Sequence, residues 1–156
     1  MKKVLVTGGA GFIGSHLVDQ LIDRGINVTI IDNLSTGKKE NINPKAKFIE
    51  CDISTTSYID LTFYLNNIDT VFHLAAKPAV QESIENPTLY NNINVKGTLK
   101  LLEAAAAMKV NRFVFSSSSS VYGDAKIPTT EQHELNPISP YALNKLIGEQ
   151  YCKLYS

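Results

Sequence analysis

Two stretches of this chain place a tyrosine four residues ahead of a lysine: "YGDAK" (Tyr122 to Lys126) and "YALNK" (Tyr141 to Lys145). Within a helix, residues four apart stack on one side. A cation held beside a phenol favours the phenolate, so such a pair is a candidate base for drawing a proton from a hydroxyl. Gly123 and Asp124 favour a turn in the first match, so its ends need not share a face. The second match follows Ser139, a good N-cap, and Pro140, which suits a first helical position. Tyr141 is therefore the candidate base and Lys145 its cation. The alternative is a surface pair on an amphipathic helix.

Five consecutive serines, Ser116 to Ser120, stand between "FVF" and "VYG". Filler or a flexible linker would lack structure on both sides, yet an apolar run ends directly before them and a short loop follows. They read as the carboxyl end of a strand, where open parallel sheets collect their ligands. Hydroxyls there are placed to hydrogen-bond a substrate oxygen beside the tyrosine.

A third constellation is "TGGAGFIG", with Gly8, Gly11 and Gly14 spaced three apart between an apolar strand pattern and a helical one. A turn this tight needs residues without a β-carbon, and a pyrophosphate resting on a helix N-terminus needs exposed backbone. Asp32 ends the next strand about twenty residues on, the spacing at which an acid meets a ribose diol. That carboxylate favours NAD over NADP, whose 2′-phosphate it repels. No arginine follows Asp32, although Lys38 and Lys39 keep a phosphate contact open. Asp52 and Ile53, ending a third strand, are either a wall for the adenine or an ordinary strand end.

These groups need a scaffold, and the patterning supplies one. "KVLVT" is a buried strand, and "FIGSHLVDQLIDRG" places Ile13, Leu17, Leu21 and Ile22 on one face of a helix ending near Gly25. Strands follow at 27–32, 47–52, 69–76 and 111–117. Helices are predicted over "YIDLTFYLNN", over about 88–108 and over "SPYALNKLIGEQYCKLY". About five strands separated mostly by helices predict an α/β fold with a doubly wound, Rossmann-type parallel sheet covered on both faces. No repeat or linker divides the chain, and the polar stretch 33–46 is a loop at one end of the sheet.

Composition excludes several classes of function. The 156 residues carry fifteen basic and fifteen acidic side chains, so no basic field points to nucleic acid or to an anionic membrane. The apolar start is interrupted by Gly8 and Gly9, and no stretch approaches the roughly 18 to 20 apolar residues that span a bilayer. Cys51 and Cys152 have no metal-ligand or redox spacing and are expected as free thiols, which together with the other features predicts a cytoplasmic protein without a metal site.

In these features together the chain resembles the extended short-chain dehydrogenase/reductase family, and within it the nucleotide-sugar epimerases of the UDP-glucose 4-epimerase type. The likeness rests on "VTGGAGFIGSHL", "IDNLSTGK", "CDI", "VFHLAA", "NVKGT", "FVFSSSSSVYG" and "SPYALNKLIGEQY". It implies that Gly8, Gly11, Phe12, Ile13 and Gly14 hold the pyrophosphate of NAD. Asp32, Asn33, Ser35, Thr36 and Gly37 would hold the adenosine ribose. Asp52 and Ile53 would flank the adenine, Leu74, Ala75 and Ala76 would line the cofactor, and Asn94 would sit near the nicotinamide end or brace it. The catalytic hydroxyl is implied to be Ser118, with Tyr141 as base and Lys145 on the nicotinamide ribose.

The implied reaction removes a proton from a sugar hydroxyl, usually at C4, with hydride passing to NAD and returning to the other face of a transient keto-sugar. A 4,6-dehydratase of the same family would carry an Asp-Glu pair where this chain has Ser119 and Ser120. Some epimerases carry a lysine where this chain has Pro78, with Lys77 one place earlier. Family members are longer, and their second half supplies the last strands and most of the nucleotide-sugar pocket. The expectation is therefore an NAD-binding domain over 1–156 without its substrate domain. It would be either an epimerase that binds a UDP-sugar or a non-catalytic NAD-binding fragment. Its fifth strand would be an apolar edge that invites self-association into a homo-oligomer.

Overall fold

The computed structural model describes residues 2–156. Its sheet has five parallel strands: β1 (Lys3–Thr7), β2 (Asn27–Asp32), β3 (Lys47–Glu50), β4 (Thr70–His73) and β5 (Arg112–Phe115). They lie in the order β3-β2-β1-β4-β5. The chain builds outward from β1 to β3, then crosses back to lay β4 on the other side of β1. That reversal opens a crevice at the carboxyl ends of β1 and β4, where doubly wound sheets bind ligands.

Helices α1 (Phe12–Asp23), α2 (Tyr58–Tyr64), α3 (Val80–Glu85), α4 (Pro87–Tyr90), α5 (Gly97–Ala107) and α6 (Pro140–Leu154) cover the sheet. Successive residues of β1 face opposite sides, and Val4, Leu5 and Val6 are all fully buried. Leu5, Ile31 and Val71 pack with Leu61, Leu65 and Leu101 on one face. Val4, Val6, Val28 and Ile30 pack with Val18 and Leu21 on the other. Two-sided burial is why these strands read as continuous apolar runs. No helix among the described residues is long and apolar enough to cross a membrane.

Two expectations are corrected, and one further helix is found. The buried stripe of α1 is Gly14, Ser15, Val18 and Leu21, while Ile13 is 67% exposed. The first turn of α1 stands against the glycine turn, where Gly14 meets Gly8, so Gly14 and Ser15 face inward there in place of Ile13. The stretch 88–108 is not one helix: a π-helical turn over Asn91–Lys96 separates α4 from α5. The additional residue in that turn rotates Asn94 inward, and it is 3% exposed. The unpredicted α3 lies between Pro78 and Pro87, and Asn86, outside the helical region at φ −129° and ψ 57° before the proline, ends it.

Other details follow the local chemistry. Gly25, at φ +72°, closes the C-terminus of α1. Gly123, at φ +59°, ends a 3₁₀ turn over Ser119–Tyr122, so Tyr122 and Lys126 share no helix. Among the described residues strand β5 pairs only with β4, and Val114 on it is 38% exposed.

Candidate active site

The glycine turn after β1 meets the ends of β2, β3 and β4 around one cleft at the carboxyl edge. Gly8 and Gly11 form one wall of it, and Asp32, Asn33, Ser35 and Thr36 a second. Asp52 and Ile53 close the far end, with Leu74, Ala75 and Ala76 opposite the turn. Eleven predicted residues thus converge from four separate strand ends.

The turn is tight in the sense the glycines require. Gly8 has φ +73°, and a β-carbon on it would lie 2.8 Å from the Ala75 nitrogen. A β-carbon on Gly14 would lie 2.1 Å from the Gly8 carbonyl oxygen. Helix α1 starts here with no side-chain cap and no acid in its first turn. Its leading N–H groups, on Phe12, Ile13 and Gly14, are therefore left to an outside acceptor, the arrangement that suits an anion. The side chains of Phe12 and Ile13 point to solvent and take no part in the cleft wall.

Asp32 is 8% exposed. One of its oxygens accepts from the Ala10 N–H at 3.0 Å and the other from the Leu34 N–H at 2.8 Å. A carboxylate has about four acceptor positions, which leaves one on each oxygen for a vicinal diol. Gly37 lies outside the wall but guards it, because a β-carbon there would lie 2.9 Å from Asp32 Oδ1. At the far end, Asn33 Nδ2 donates to Asp52 Oδ2 at 3.0 Å. Partial burial works to raise the Asp52 carboxyl, but donors from Ser54 and Asn33 outweigh it and hold it below the usual carboxylate range.

Behind Ala75 to Lys77 runs a buried polar chain. The Ala75 N–H donates to Thr7 Oγ1 at 3.2 Å, and Thr7 Oγ1 stands 2.6 Å from His73 Nδ1. His73 Nε2 lies 2.8 Å from Thr98 Oγ1, which donates to the Asn94 carbonyl at 2.6 Å. That carbonyl only accepts, so Nε2 carries the ring proton and Nδ1 accepts from Thr7. Burial, and then the charge of Lys145, pushes the His73 pKa down to about 3, so the ring is neutral. Asn94 also holds Lys77 by both ends of its amide: Oδ1 accepts the Lys77 N–H at 2.9 Å and Nδ2 donates to the Lys77 carbonyl at 3.0 Å. Asn94 is thus a brace behind the cleft wall and not part of its lining.

Tyr141 and Lys145 sit on the inward face of α6, 7% and 4% exposed. The Ser139 hydroxyl accepts the Ala142 N–H, and Pro140 occupies the first helical position. The Lys145 ammonium donates to the Ser116 carbonyl at 2.8 Å. It stands 6.0 Å from the Tyr141 ring centroid and 4.9 Å from that of Phe115. Burial pushes its pKa down from the usual 10.5 to about 8. Ser118 caps the Ser119–Tyr122 turn, accepting the Ser120 N–H and donating to the Ser120 hydroxyl at 3.1 Å. Ser117 is tied instead to Glu149 of α6. The serine run is structured throughout, and β5 has ended before it begins.

Several residues of the site escaped the motif reading. Ile31, Cys51, Lys77 and Ile93 line the cleft. Cys51 is next to Asp52 and so shares its strand end, a signal available in the sequence. Ile93 enters only through the π-helical turn, which periodicity does not reveal. Lys77 pairs with Glu82 and lies 5.5 Å from the Tyr90 ring centroid.

Comparison with known proteins agrees with this fold. Residues 4–156 match the model of the NAD dependent epimerase/dehydratase family. The UDP-glucose 4-epimerase of Lactobacillus helveticus is 44% identical over 149 residues, which span 95% of this chain and 45% of that protein. The UDP-N-acetylglucosamine 4-epimerase of Methanobrevibacter ruminantium, solved with UDP-N-acetylmuramic acid, superposes with a TM-score of 0.92 at 45% identity, covering 99% of this chain and 50% of that one. The Thermus thermophilus UDP-glucose 4-epimerase, solved with NAD, gives a TM-score of 0.92 at 38% identity, with coverages of 98% and 50%. The chain spans about half the length of the curated relatives it matches. With a family match over nearly every residue and a site built at the sheet's switch point, the chain belongs to the NAD dependent epimerase/dehydratase family.

Proposed function

We propose that residues 1–156 form the NAD-binding domain of a nucleotide-sugar 4-epimerase and carry its acid–base group. The observation that supports this most is the placement of Lys145: a buried ammonium, pinned by the Ser116 carbonyl, 6.0 Å from the Tyr141 ring. A cation so placed stabilises a phenolate against a sugar hydroxyl.

The cofactor fits the residues present. Gly8 and Gly14 leave room where any β-carbon would fill the turn, and α1 offers uncapped N–H groups to a pyrophosphate. Asp32 keeps acceptor positions for the ribose diol, and Asp52 and Ile53, which line the far end of the cleft, would flank the adenine. When bound, NAD supplies the hydride acceptor and donor. Tyr141 takes the proton of the sugar C4 hydroxyl and returns it after the sugar has turned. Lys145 holds the phenolate, and the Ser118 hydroxyl would turn its proton from Ser120 to the same sugar oxygen. The substrate class proposed is a UDP-sugar, and the protein is proposed to be cytoplasmic. The one-sided pairing of β5 supports self-association, which light scattering checks.

Calorimetric titration with NAD, beside an Asp32→Ala variant, is the first test. Saturable binding that weakens in the variant is expected, followed by UDP-galactose turnover that Tyr141→Phe abolishes. Absence of NAD binding by folded protein would defeat the reading. Binding without turnover would leave residues 1–156 as an NAD-binding module only.

A further inference from the structure

Helix α6 begins in a buried setting, where its unpaired N–H groups need partners. Pro140 has none to offer. The Ala142 N–H is taken by the Ser139 hydroxyl at 3.1 Å, and the Leu143 N–H by the Ser139 carbonyl at 2.9 Å. That leaves the N–H of Tyr141 itself. It donates to the hydroxyl of Ser83, on α3, at 3.1 Å and across 58 positions of sequence.

Ser83 is equipped for this one task. It is fully buried, and its own proton is given to the Val80 carbonyl at 2.5 Å. A lone pair is therefore held towards α6, with no choice of rotor. The preceding residue, Glu82, holds the ammonium of Lys77 and accepts from the Tyr90 hydroxyl at 3.0 Å. Lys77 lines the cleft. Two adjacent residues of one short helix thus tie the cleft wall and the tyrosine to the same body.

We propose that Ser83 is a positioning residue for Tyr141: it caps the tyrosine helix from outside and so sets where the phenol stands relative to the cleft. The assignment rests on the reading of Tyr141 as the base, but the cap itself is measurable without cofactor or substrate. Removing the acceptor leaves a buried N–H unsatisfied, and the helix start must shift to find water or another partner.

The test is amide hydrogen exchange by NMR on the wild type, Ser83→Ala and Ser83→Thr, with ring-labelled tyrosine and a parallel NAD titration. The Tyr141 amide should be protected in the wild type and should exchange at least about tenfold faster in Ser83→Ala, while Ala142, still capped by Ser139, stays within about threefold. The Tyr141 ring resonances should move in Ser83→Ala and return in Ser83→Thr, which restores the hydroxyl. Where the chain turns over UDP-galactose, kcat should fall in Ser83→Ala with NAD affinity within about threefold. Equal acceleration at Tyr141 and Ala142, or an unmoved Tyr141 ring, would overturn the proposal by reducing Ser83 to general stability. If Ser83→Ala does not fold, Ser83→Cys replaces it, since its thiol is a weaker acceptor, and no acceleration at Tyr141 there overturns the cap. Failure of the wild type to bind NAD would count against the functional reading, with the exchange data still deciding on Ser83.

Discussion

Gly148 lies against the ring of Phe115 so closely that a β-carbon on it would stand 2.4 Å from the ring's Cζ. The contact lets α6 settle onto the end of β5, and that approach brings Lys145 within 2.8 Å of the Ser116 carbonyl. The Phe115 ring also packs 5.7 Å from the His73 ring, centroid to centroid. One missing methyl group therefore sets the spacing of Lys145 and of the polar chain behind the cleft.

Gly148→Ala should destabilise the fold by about 1–3 kcal/mol, the usual cost of overpacking, and should withdraw Lys145 from Ser116. Urea unfolding measures the first effect. Adding Phe115→Leu, which vacates the ring position, should recover part of the loss; additive losses in the double variant would show that the contact is not the cause.

Gly37→Ala should weaken NAD binding by at least about tenfold, because the new carbon meets Asp32 Oδ1 and the Ala10 side chain, each at 2.9 Å. Stability should change little, since residues 33–38 contribute no strand or helix to the core. Calorimetry beside urea unfolding separates the two effects.

Acid should destabilise the protein through His73. Its pKa is about 3 when folded, from burial and then Lys145, against 6.5 ordinarily. The unfolded chain binds this proton first, so its contribution is complete above pH 6.5 and is lost as the pH falls towards 3. The slope from this one group is at most about 1.4 kcal/mol per pH unit. Between pH 6.5 and 4, a His73→Gln variant should show a flatter decline in its urea midpoint. Equal slopes would mean that the ring is accessible and titrates normally.

Lys145 acts in the opposite part of the scale. Its pKa of about 8, lowered by burial from 10.5, means that the folded protein loses the proton before the unfolded one. Stability from this group therefore rises as pH climbs through 8 towards 10.5. Burial holds the Cys51 and Cys152 thiols above their usual 9.0, which opposes the trend at higher pH. Between pH 8 and 9 the wild type should gain stability relative to Lys145→Met. Where the chain turns over UDP-galactose, turnover should decline over the same interval as the ammonium beside Tyr141 is lost.

The local signals were strongest where one short segment carries the whole physical constraint. The cap and proline before Tyr141, the glycine turn and the buried strands β1 and β2 all depend on neighbouring residues only, and "NVTIID" matches β2 at both ends. The stripe of α1 failed at Ile13, because which face of the first turn looks inward depends on the turn beneath it. The interruption after α4 failed for a related reason: periodicity assumes an unbroken helix, and this π-helical turn has a partner elsewhere, Lys77, which Asn94 holds from 17 positions away.

What the sequence determined by itself was the order of parallel strands and covering helices, and the types of group gathered at the carboxyl edge. Apolar periodicity, glycine sterics and helix capping act over a few residues and leave their mark in a few letters. Only the tertiary structure decided that His73 is neutral with its proton on Nε2, that Asn94 braces Lys77 and does not line the cleft, and that Ser83 caps the helix of Tyr141. Those outcomes rest on hydrogen bonds between residues 17 to 66 positions apart, in an interior where a polar group must find its partner wherever the fold brings one.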